Sequence, residues 1–315
     1  GCAKQRGRCR LEEIACRKST RPTPWPQGKD RPLLGANGTE AMQALLARGD
    51  GALVDYLKVG PFMGREAIAA LAARHPLLLH LDDTLSGPHT PSAEMVGRLN
   101  GWIQLTGTPW TSEHIGFGVP DVDLDSALIT QPASALLSRQ TAMAHIVRNA
   151  RALGEQLQAP LLLENIPFFP NLAHVHVCEP DFVSEVIAPS GCDLLLDLAH
   201  ARVSASVLGM DVHTYLKALP LQRTVEIHLS GPRPLSAVDA RRQRLVRENA
   251  RSVAHLVAFG EDHLMDAHET LQEEDYDLLA WTLARVRPRA ISLEYYREPA
   301  ALREQLLRLS EMLGR

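Results

Sequence analysis

The chain has 315 residues, of which 45% are apolar and 22% charged, and a formal net charge of −4. This composition is typical of a globular protein and excludes collagen-like and intrinsically disordered classes. No apolar run approaches the roughly 18 residues that a membrane span needs, so we expect no membrane segment. We expect one main domain, because single α/β barrels reach this length once their loops are counted.

The charge is unevenly distributed along the chain. Residues 1–31 hold nine Lys and Arg against three Asp and Glu, so this tail carries about +6 and the body about −10. An acidic body disfavours nucleic acid as a partner. The tail contains Cys2, Cys9 and Cys16 at regular intervals, whereas zinc sites prefer cysteines two to four residues apart. We therefore expect a flexible tail over 1–31, with a substrate-like peptide as the alternative, and a catalytic domain over 32–315.

The body contains only two cysteines, Cys178 and Cys192. Such sparse usage argues against a disulfide framework and suits a reducing compartment. The sequence shows no apolar core of a signal peptide. We therefore expect a cytoplasmic protein.

Eight short segments are predicted strands, and most are apolar throughout, as expected for parallel strands buried on both faces. In chain order they are Leu33–Asn37, Leu53–Val59, Leu77–His80, Pro109–Ile115, Leu161–Asn165, Leu194–Asp197, Thr224–Leu229 and Ala290–Glu294. Helical patterns separate them, including the apolar stripe Leu302, Leu306, Leu309 and Leu313. Alternating strands and helices in this number predict an α/β fold, a (β/α)₈ TIM barrel.

The connection after the seventh strand is unusually long, from Gly231 to about Ala290, and carries a predicted basic helix at Arg241–Val257. Long loops at the carboxyl ends of barrel strands are often functional. The default interpretation of the basic helix is a solvated face. If it overhangs the site, it could attract phosphate or an acidic peptide.

Histidines and carboxylates recur where the apolar segments end, in motifs such as LLLH, TSEH, LLLEN and LMDAH. Side chains at the carboxyl ends of parallel strands converge on one face. The candidate metal ligands at these ends are His80, His114, Glu164, Asp197, His200, His228, Asp266, His268 and Glu294.

Four buried carboxylates without cations would be very unfavourable. Three divalent metal ions would compensate their charge and leave open positions for water, oxygen or substrate, so we favour a trinuclear site. Nitrogen and oxygen ligands without cysteine suit iron, zinc or manganese, and ligand type alone does not separate these metals.

Several other polar residues are weaker candidates. Glu113 and Glu226 precede ligand histidines and could orient them, and Tyr295 follows Glu294 at the same rim, so these three are the candidate catalytic residues. A solvent, inter-strand or packing role is the alternative for each. His174 and His176 alternate as strand residues do, and we expect them to be unrelated to metal.

Taken together, these motifs resemble the multinuclear non-haem iron-dependent oxidases, a methanobactin-oxidase-like family on the xylose-isomerase-like, endonuclease IV-like barrel. The resemblance covers nearly the whole body. The motifs that carry it, in order, are PLLLH80, TSEH114, PLLLEN165, CEPDF182, GCDLLLD197, YLKALPL221, VEIHLSG231, LMDAH268 and ISLE294.

The resemblance implies a barrel holding two or three iron ions, Fe²⁺ or Fe³⁺, and all the candidate ligands above except His200 match the family's ligand motifs. It also implies O₂-dependent modification of a residue, usually cysteine, in a ribosomally made precursor peptide. A separate partner protein that captures the leader peptide is a further implication.

The chain departs from the family pattern at three places. It has His200 where the family often has asparagine, GPRP after the IHL segment, and YYRE after Glu294 in place of Trp-Asp, which removes a carboxylate. The Asp197–His200 pair also resembles endonuclease IV, so a trinuclear Zn²⁺ phosphodiesterase acting at abasic sites is the main alternative. A non-catalytic, metal-dependent scaffold that binds a peptide is the second alternative.

Overall fold

In the computed structural model, which describes residues 22–26, 31–122 and 134–315, eight parallel strands close into a barrel. Neighbouring barrel strands follow one another along the chain, and the last strand pairs with the first. The predicted (β/α)₈ barrel is therefore confirmed. The barrel strands are β1 (Leu33–Asn37), β2 (Tyr56–Val59), β3 (Leu77–His80), β4 (Thr111–His114), β5 (Leu161–Glu164), β6 (Asp193–Asp197), β7 (Thr224–Leu229) and β10 (Ala290–Leu293).

Helices cover the outside of the barrel and bury its outward-facing side chains. The apolar stripe predicted near the C-terminus is buried, with Leu302, Leu306 and Leu309 fully inaccessible. The helices are α1 (Glu40–Ala47), α2 (Arg65–Ala72), α3 (Ala93–Thr106), α4 (Arg139–Gly154), α5 (Pro180–Ser190), α6 (Leu198–Val207), α7 (Val212–Ala218), α8 (Ala240–Val253), α9 (Glu273–Leu283) and α10 (Pro299–Met312).

The long connection after β7 contains a small antiparallel sheet that our strand prediction did not include. It consists of β8 (Gly231–Pro234) and β9 (Leu264–Glu269), with the basic helix α8 between them. Proline lacks the backbone N–H that a strand ladder needs, so the sequence GPRP does not read as a strand. A two-stranded sheet tolerates it, because each of these strands pairs on one side only.

The amino-terminal end of the barrel interior is filled with apolar side chains. Tyr56 and Trp110 lie among them, and Trp25 packs against both rings, with centroid distances of 5.0 and 5.3 Å. Gly35 leaves the space for Tyr56, because a Cβ at this position would lie 2.4 Å from the Tyr56 ring. A site built from strand-end side chains is therefore expected at the opposite, carboxyl end of the strands.

The three cysteines of the tail, Cys2, Cys9 and Cys16, lie outside the described residues. Cys178 and Cys192 are buried free thiols. Among the residues that the structure describes, no helix is long and apolar enough to cross a membrane.

The substitution Leu306→Ala tests the packing of α10 on the barrel. We expect it to lower the free energy of unfolding by about 2–5 kcal/mol, because it leaves a cavity in the core. Leu307→Ala on the same helix is the matched control, since Leu307 is 42% exposed, and should change stability by about 0.5 kcal/mol or less. Urea denaturation of both variants measures the difference, and equal losses would contradict the packing described.

Candidate metal centre

The alternation of side chains along each strand aims the candidate ligands into the barrel mouth. In β7, Glu226 and His228 point inward while Ile227 packs in the outer core, and β6 likewise aims Leu195 and Asp197 inward. The structure brings the nine candidate ligands together at the carboxyl ends of the strands and in β9.

The first group of ligand atoms belongs to His80, His114 and Glu164. The Nε2 atoms of the two histidines lie 3.5 and 3.6 Å from the same Glu164 oxygen, Oε2. The Nδ1 atom of His80 lies 2.8 Å from the hydroxyl of Ser112, which fixes the ring with Nε2 toward the group. Three ligand atoms thus face one point without hydrogen bonding to each other.

The second group comprises Glu164, Asp197 and His200. Asp197 ends β6 and caps α6 through Oδ1, which accepts a hydrogen bond from the backbone N–H of His200 at 2.7 Å. His200 Nδ1 donates to the carbonyl of Asn165 at 2.8 Å, so its Nε2 faces Asp197 Oδ2 at 3.6 Å. The Asn165 side chain exchanges two 2.9 Å hydrogen bonds with the backbone of Asp197 and fixes the ends of β5 and β6 together.

The third group comprises Asp197, His228 and Glu294, whose ligand atoms lie within 4.8 Å of one another. His228 Nε2 donates to Glu226 at 2.9 Å, so Nδ1 faces the site and lies 3.4 Å from Glu294 Oε1. Glu226 is fixed in turn by the indole N–H of Trp110 at 2.9 Å. Glu226 therefore orients a candidate ligand from beneath.

Asp266 and His268 reach the centre from β9 rather than from a barrel strand. Asp266 Oδ2 lies 3.7 Å from His200 Nε2, and His268 Nε2 lies 3.1 Å from Glu294 Oε2. His268 has a φ of 49°, in the left-handed region that non-glycine residues seldom adopt. Such strain often marks functional positions, and here it lies at a residue that faces the centre.

Two buried carboxylate oxygens of the centre and two of its histidines have the properties of metal ligands. Among the described residues, Glu164 Oε2 and Asp197 Oδ2 are buried without a hydrogen-bond partner, which is costly unless a cation is bound. Burial lowers the pKa of His114 to about 4 and, with the charge of Lys58, lowers the pKa of His80 well below its usual value. Both imidazoles are therefore neutral at neutral pH, as metal ligands must be.

Asp197 and Asp266 have opposite pKa shifts. Burial raises the pKa of Asp197 to about 7, and the negative charge of Glu164 adds to this rise, while the charge of His200 opposes it. Burial opposes ionisation of Asp266 as well, but the imidazoles of His268 and His200 outweigh it and lower the pKa to about 2.

Lys58 in β2 reaches the candidate centre, and the sequence prediction did not include it. Its ammonium group donates a hydrogen bond to Glu294 Oε1 and lies 3.3 Å from His228 Nδ1. Burial alone would lower its pKa, but the charges of Glu294 and Glu164 raise it. The available signal is a lysine within the otherwise apolar segment YLKV, in the inward phase of a strand.

Two candidate catalytic residues lie outside the centre. Glu113 is buried and accepts hydrogen bonds from the backbone N–H groups of Asp83 and His114 at 2.9 and 3.0 Å. The hydroxyl of Tyr295 lies 3.4 Å from the backbone nitrogen of Glu298, at the start of α10.

The two histidines expected to be unrelated to metal differ in position. His174 is buried, donates from Nδ1 to the carbonyl of Pro167 at 2.8 Å and borders the cavity above the centre. His176 lies 3.5 Å from Glu179, with which it can form an ion pair when protonated.

A cavity of about 240 Å³ opens above the candidate ligands. Its walls are mainly apolar, and Arg242 of the basic helix provides a cation at the rim. The Arg242 guanidinium donates to the backbone carbonyl of Asp266, so α8 lies beside the centre. The main apolar side chains of the wall are Phe62, Met63, Ile166, Phe168, Phe169 and Met265.

One protein family matches most of this chain. The family model described as "RiPP precursor modification enzyme MbnB/TglH/ChrH" matches residues 54–311, which include every candidate ligand. The chain belongs to this family. RiPPs are ribosomally synthesised and post-translationally modified peptides, and the family resemblance inferred from the motifs is confirmed.

Curated relatives match over part of their length. A UPF0276 protein of Caulobacter vibrioides is 32% identical over 191 residues, which cover 57% of this chain and 65% of that protein. A UPF0276 protein of Pseudomonas aeruginosa is 29% identical over 195 residues, covering 59% and 66%. The chain thus spans about two thirds of the length of these relatives.

Solved structures support the fold. A D-tagatose 3-epimerase-like protein matches with a TM-score of 0.52 and 10% identity, covering 90% of this chain and 98% of that chain. A xylose isomerase-like TIM barrel protein from Mycobacterium smegmatis, solved in complex with magnesium, matches with a TM-score of 0.50 and 12% identity, covering 90% and 96%. At these identities the likeness shows the xylose-isomerase-like barrel alone.

The substitution Glu164→Gln tests the centre, because Glu164 belongs to the first two ligand groups. We expect it to weaken metal binding by about 100-fold or more, since an amide oxygen carries no charge to hold the cations. Glu274→Gln on the exposed start of α9 is the control and should bind as the unaltered protein does. Metal retained after dialysis is measured by mass spectrometry, and full retention by Glu164→Gln would refute the ligand assignment.

Proposed function

We propose that this protein is a multinuclear iron enzyme that uses O₂ to oxidise one residue of a ribosomally synthesised precursor peptide. The target residue that we propose is a cysteine. The observation that carries the proposal is the convergence of two neutral histidines on an unpartnered buried glutamate oxygen, in a chain that belongs to a family of precursor-modifying enzymes. The metal ligands we propose are drawn from the nine side chains at the barrel mouth.

Bound iron would supply a Lewis acid for the substrate thiolate and electron transfer to O₂. The chain's own residues hold the ligand histidines in place and orient their rings. Ser112 and Asn165 fix the rings of His80 and His200, and Glu226 fixes His228. In the proposed reaction, the cysteine residue loses four electrons and four protons, which reduce one O₂ to two water molecules, so no other reductant is required.

The cavity above the centre has the character of a peptide site. Its apolar walls would exclude water from the reacting residue and bury the side chains beside it. Phe62 lies on the short turn Pro61–Met63 and is 78% exposed, although it borders the cavity. A large exposed aromatic side chain at the rim suits contact with an extended peptide. We further propose that a separate protein captures the leader of the precursor.

A zinc phosphodiesterase is the second candidate, and His200 favours it. This histidine completes the Asp197-x-x-His200 arrangement and faces both Asp197 and Asp266 through Nε2. Three zinc ions at such a site would activate water for phosphodiester hydrolysis. The acidic body of the chain argues against a nucleic-acid substrate.

Metal analysis of aerobically purified protein separates the candidates. Two or more irons per chain with ferric absorption, together with an O₂-dependent mass change in a co-expressed cysteine-containing precursor peptide, are the expected results. Stoichiometric zinc with cleavage of abasic DNA would favour the phosphodiesterase. A peptide that binds the metal-loaded protein but is recovered unmodified would favour a scaffold, and absence of metal would overturn both enzymatic proposals.

The substitution Phe62→Ala tests the cavity as the peptide site. We expect the KM for the precursor peptide to rise about ten-fold or more, because a large apolar contact is lost, while the metal content stays unchanged. Met312→Ala, which removes an exposed apolar side chain on α10, is the control and should leave KM unaltered. Steady-state kinetics monitored by peptide mass decide the result, and an unchanged KM in Phe62→Ala would place the peptide elsewhere.

A further inference from the structure

The third ligand group differs from the other two because a lysine is directed at it. Lys58 is in the inward phase of β2, and its side chain is only 10% exposed. Its ammonium group donates to Glu294 Oε1 and lies 3.3 Å from His228 Nδ1. These two atoms are the ones that a metal ion in the third group would need.

An ammonium and a metal ion compete for these atoms. Both would bind Glu294 Oε1, and the ammonium lies 3.3 Å from His228 Nδ1, the ring nitrogen that faces the group because Nε2 donates to Glu226. A metal ion entering the group would have to separate a buried ammonium from its carboxylate partner. The displaced ammonium would then lie beside a dication in a poorly solvated site, where like charges repel strongly.

We infer that Lys58 takes the place of a metal ion in the group formed by Asp197, His228 and Glu294, so that this chain holds two metal ions rather than three. This inference rests on the proposed metal centre. The two ions occupy the group of His80, His114 and Glu164 and the group of Glu164, Asp197 and His200, with Asp266 beside the second.

The charges of the centre agree with this arrangement. Two divalent ions and one ammonium group carry as many positive charges as the surrounding carboxylates carry negative ones. Those carboxylates are Glu164, Asp197, Glu226, Asp266 and Glu294. A third divalent ion in addition to the Lys58 ammonium would leave two excess positive charges in a buried site, which is unfavourable.

Metal stoichiometry tests the inference without reference to activity. The full chain and its Lys58→Met variant are stripped with a chelator, loaded anaerobically with excess Fe²⁺ or Zn²⁺, desalted and analysed by mass spectrometry. We expect about two ions per chain in the unaltered protein and about three in Lys58→Met, because the variant frees the ligand atoms while keeping the side-chain length. Lys217→Met, at an exposed position of α7, should retain about two.

Two further measurements locate the ions. The double variant Lys58→Met/His228→Ala should return to about two ions per chain, because the third group has lost a ligand. Anomalous diffraction from crystals of the zinc-loaded unaltered protein should give peaks in the first two groups and none between Asp197, His228 and Glu294; this measurement does not depend on the folding of any variant.

The outcomes that contradict the inference are distinct from failure of the proposed function. An unaltered protein that binds three ions, or an anomalous peak in the third group, overturns the role of Lys58 and leaves the metal enzyme intact. A folded Lys58→Met variant that still binds two ions does the same. An unaltered protein that binds no metal overturns both.

Discussion

Four carboxylates meet in the mouth of an apolar barrel, and the rest of the centre is arranged around their charge. Glu164, Asp197 and Glu294 are each less than a tenth exposed, so water cannot compensate them, and Asp266 lies just above. Buried carboxylates persist only beside cations or several hydrogen-bond donors. Metal ions supply that compensation most directly, and Lys58 supplies part of it from the chain itself.

The fold holds these groups in place through a layer of hydrogen bonds beneath them. Glu226 connects His228 to Trp110, while Asn165 joins the ends of β5 and β6, so the ligands are held before any metal binds. A preorganised set of ligands lowers the cost of binding and fixes the open positions on the metal. The apolar packing around Trp25 fills the other end of the barrel, so in the described part of the chain the candidate site opens at the carboxyl end.

The sequence predicted the barrel because its signals are local. Short apolar segments alternate with amphipathic helices, and the family motifs follow in order, so fold and family were both accessible from sequence and are confirmed. The sheet formed by β8 and β9 was not predicted, because GPRP lacks the donors and the β-branched residues of a typical strand. Lys58 was missed for a related reason: one lysine in an apolar strand usually marks a strand end near solvent, and only the barrel's closure shows that it points inward.

By itself, the sequence determined which residue types lie at the strand ends. The strand period and the order of the motifs along the chain are sufficient to assign them. The grouping of those residues was decided by the tertiary structure alone. Glu164 faces both His80 and His200, and Lys58 faces Glu294 across a separation of 236 residues. Barrel closure and strand stagger set these pairings, and neither quantity is encoded in any local stretch of the chain. The number of cations that the site accommodates follows from those pairings, because charge compensation depends on distance and burial rather than on composition.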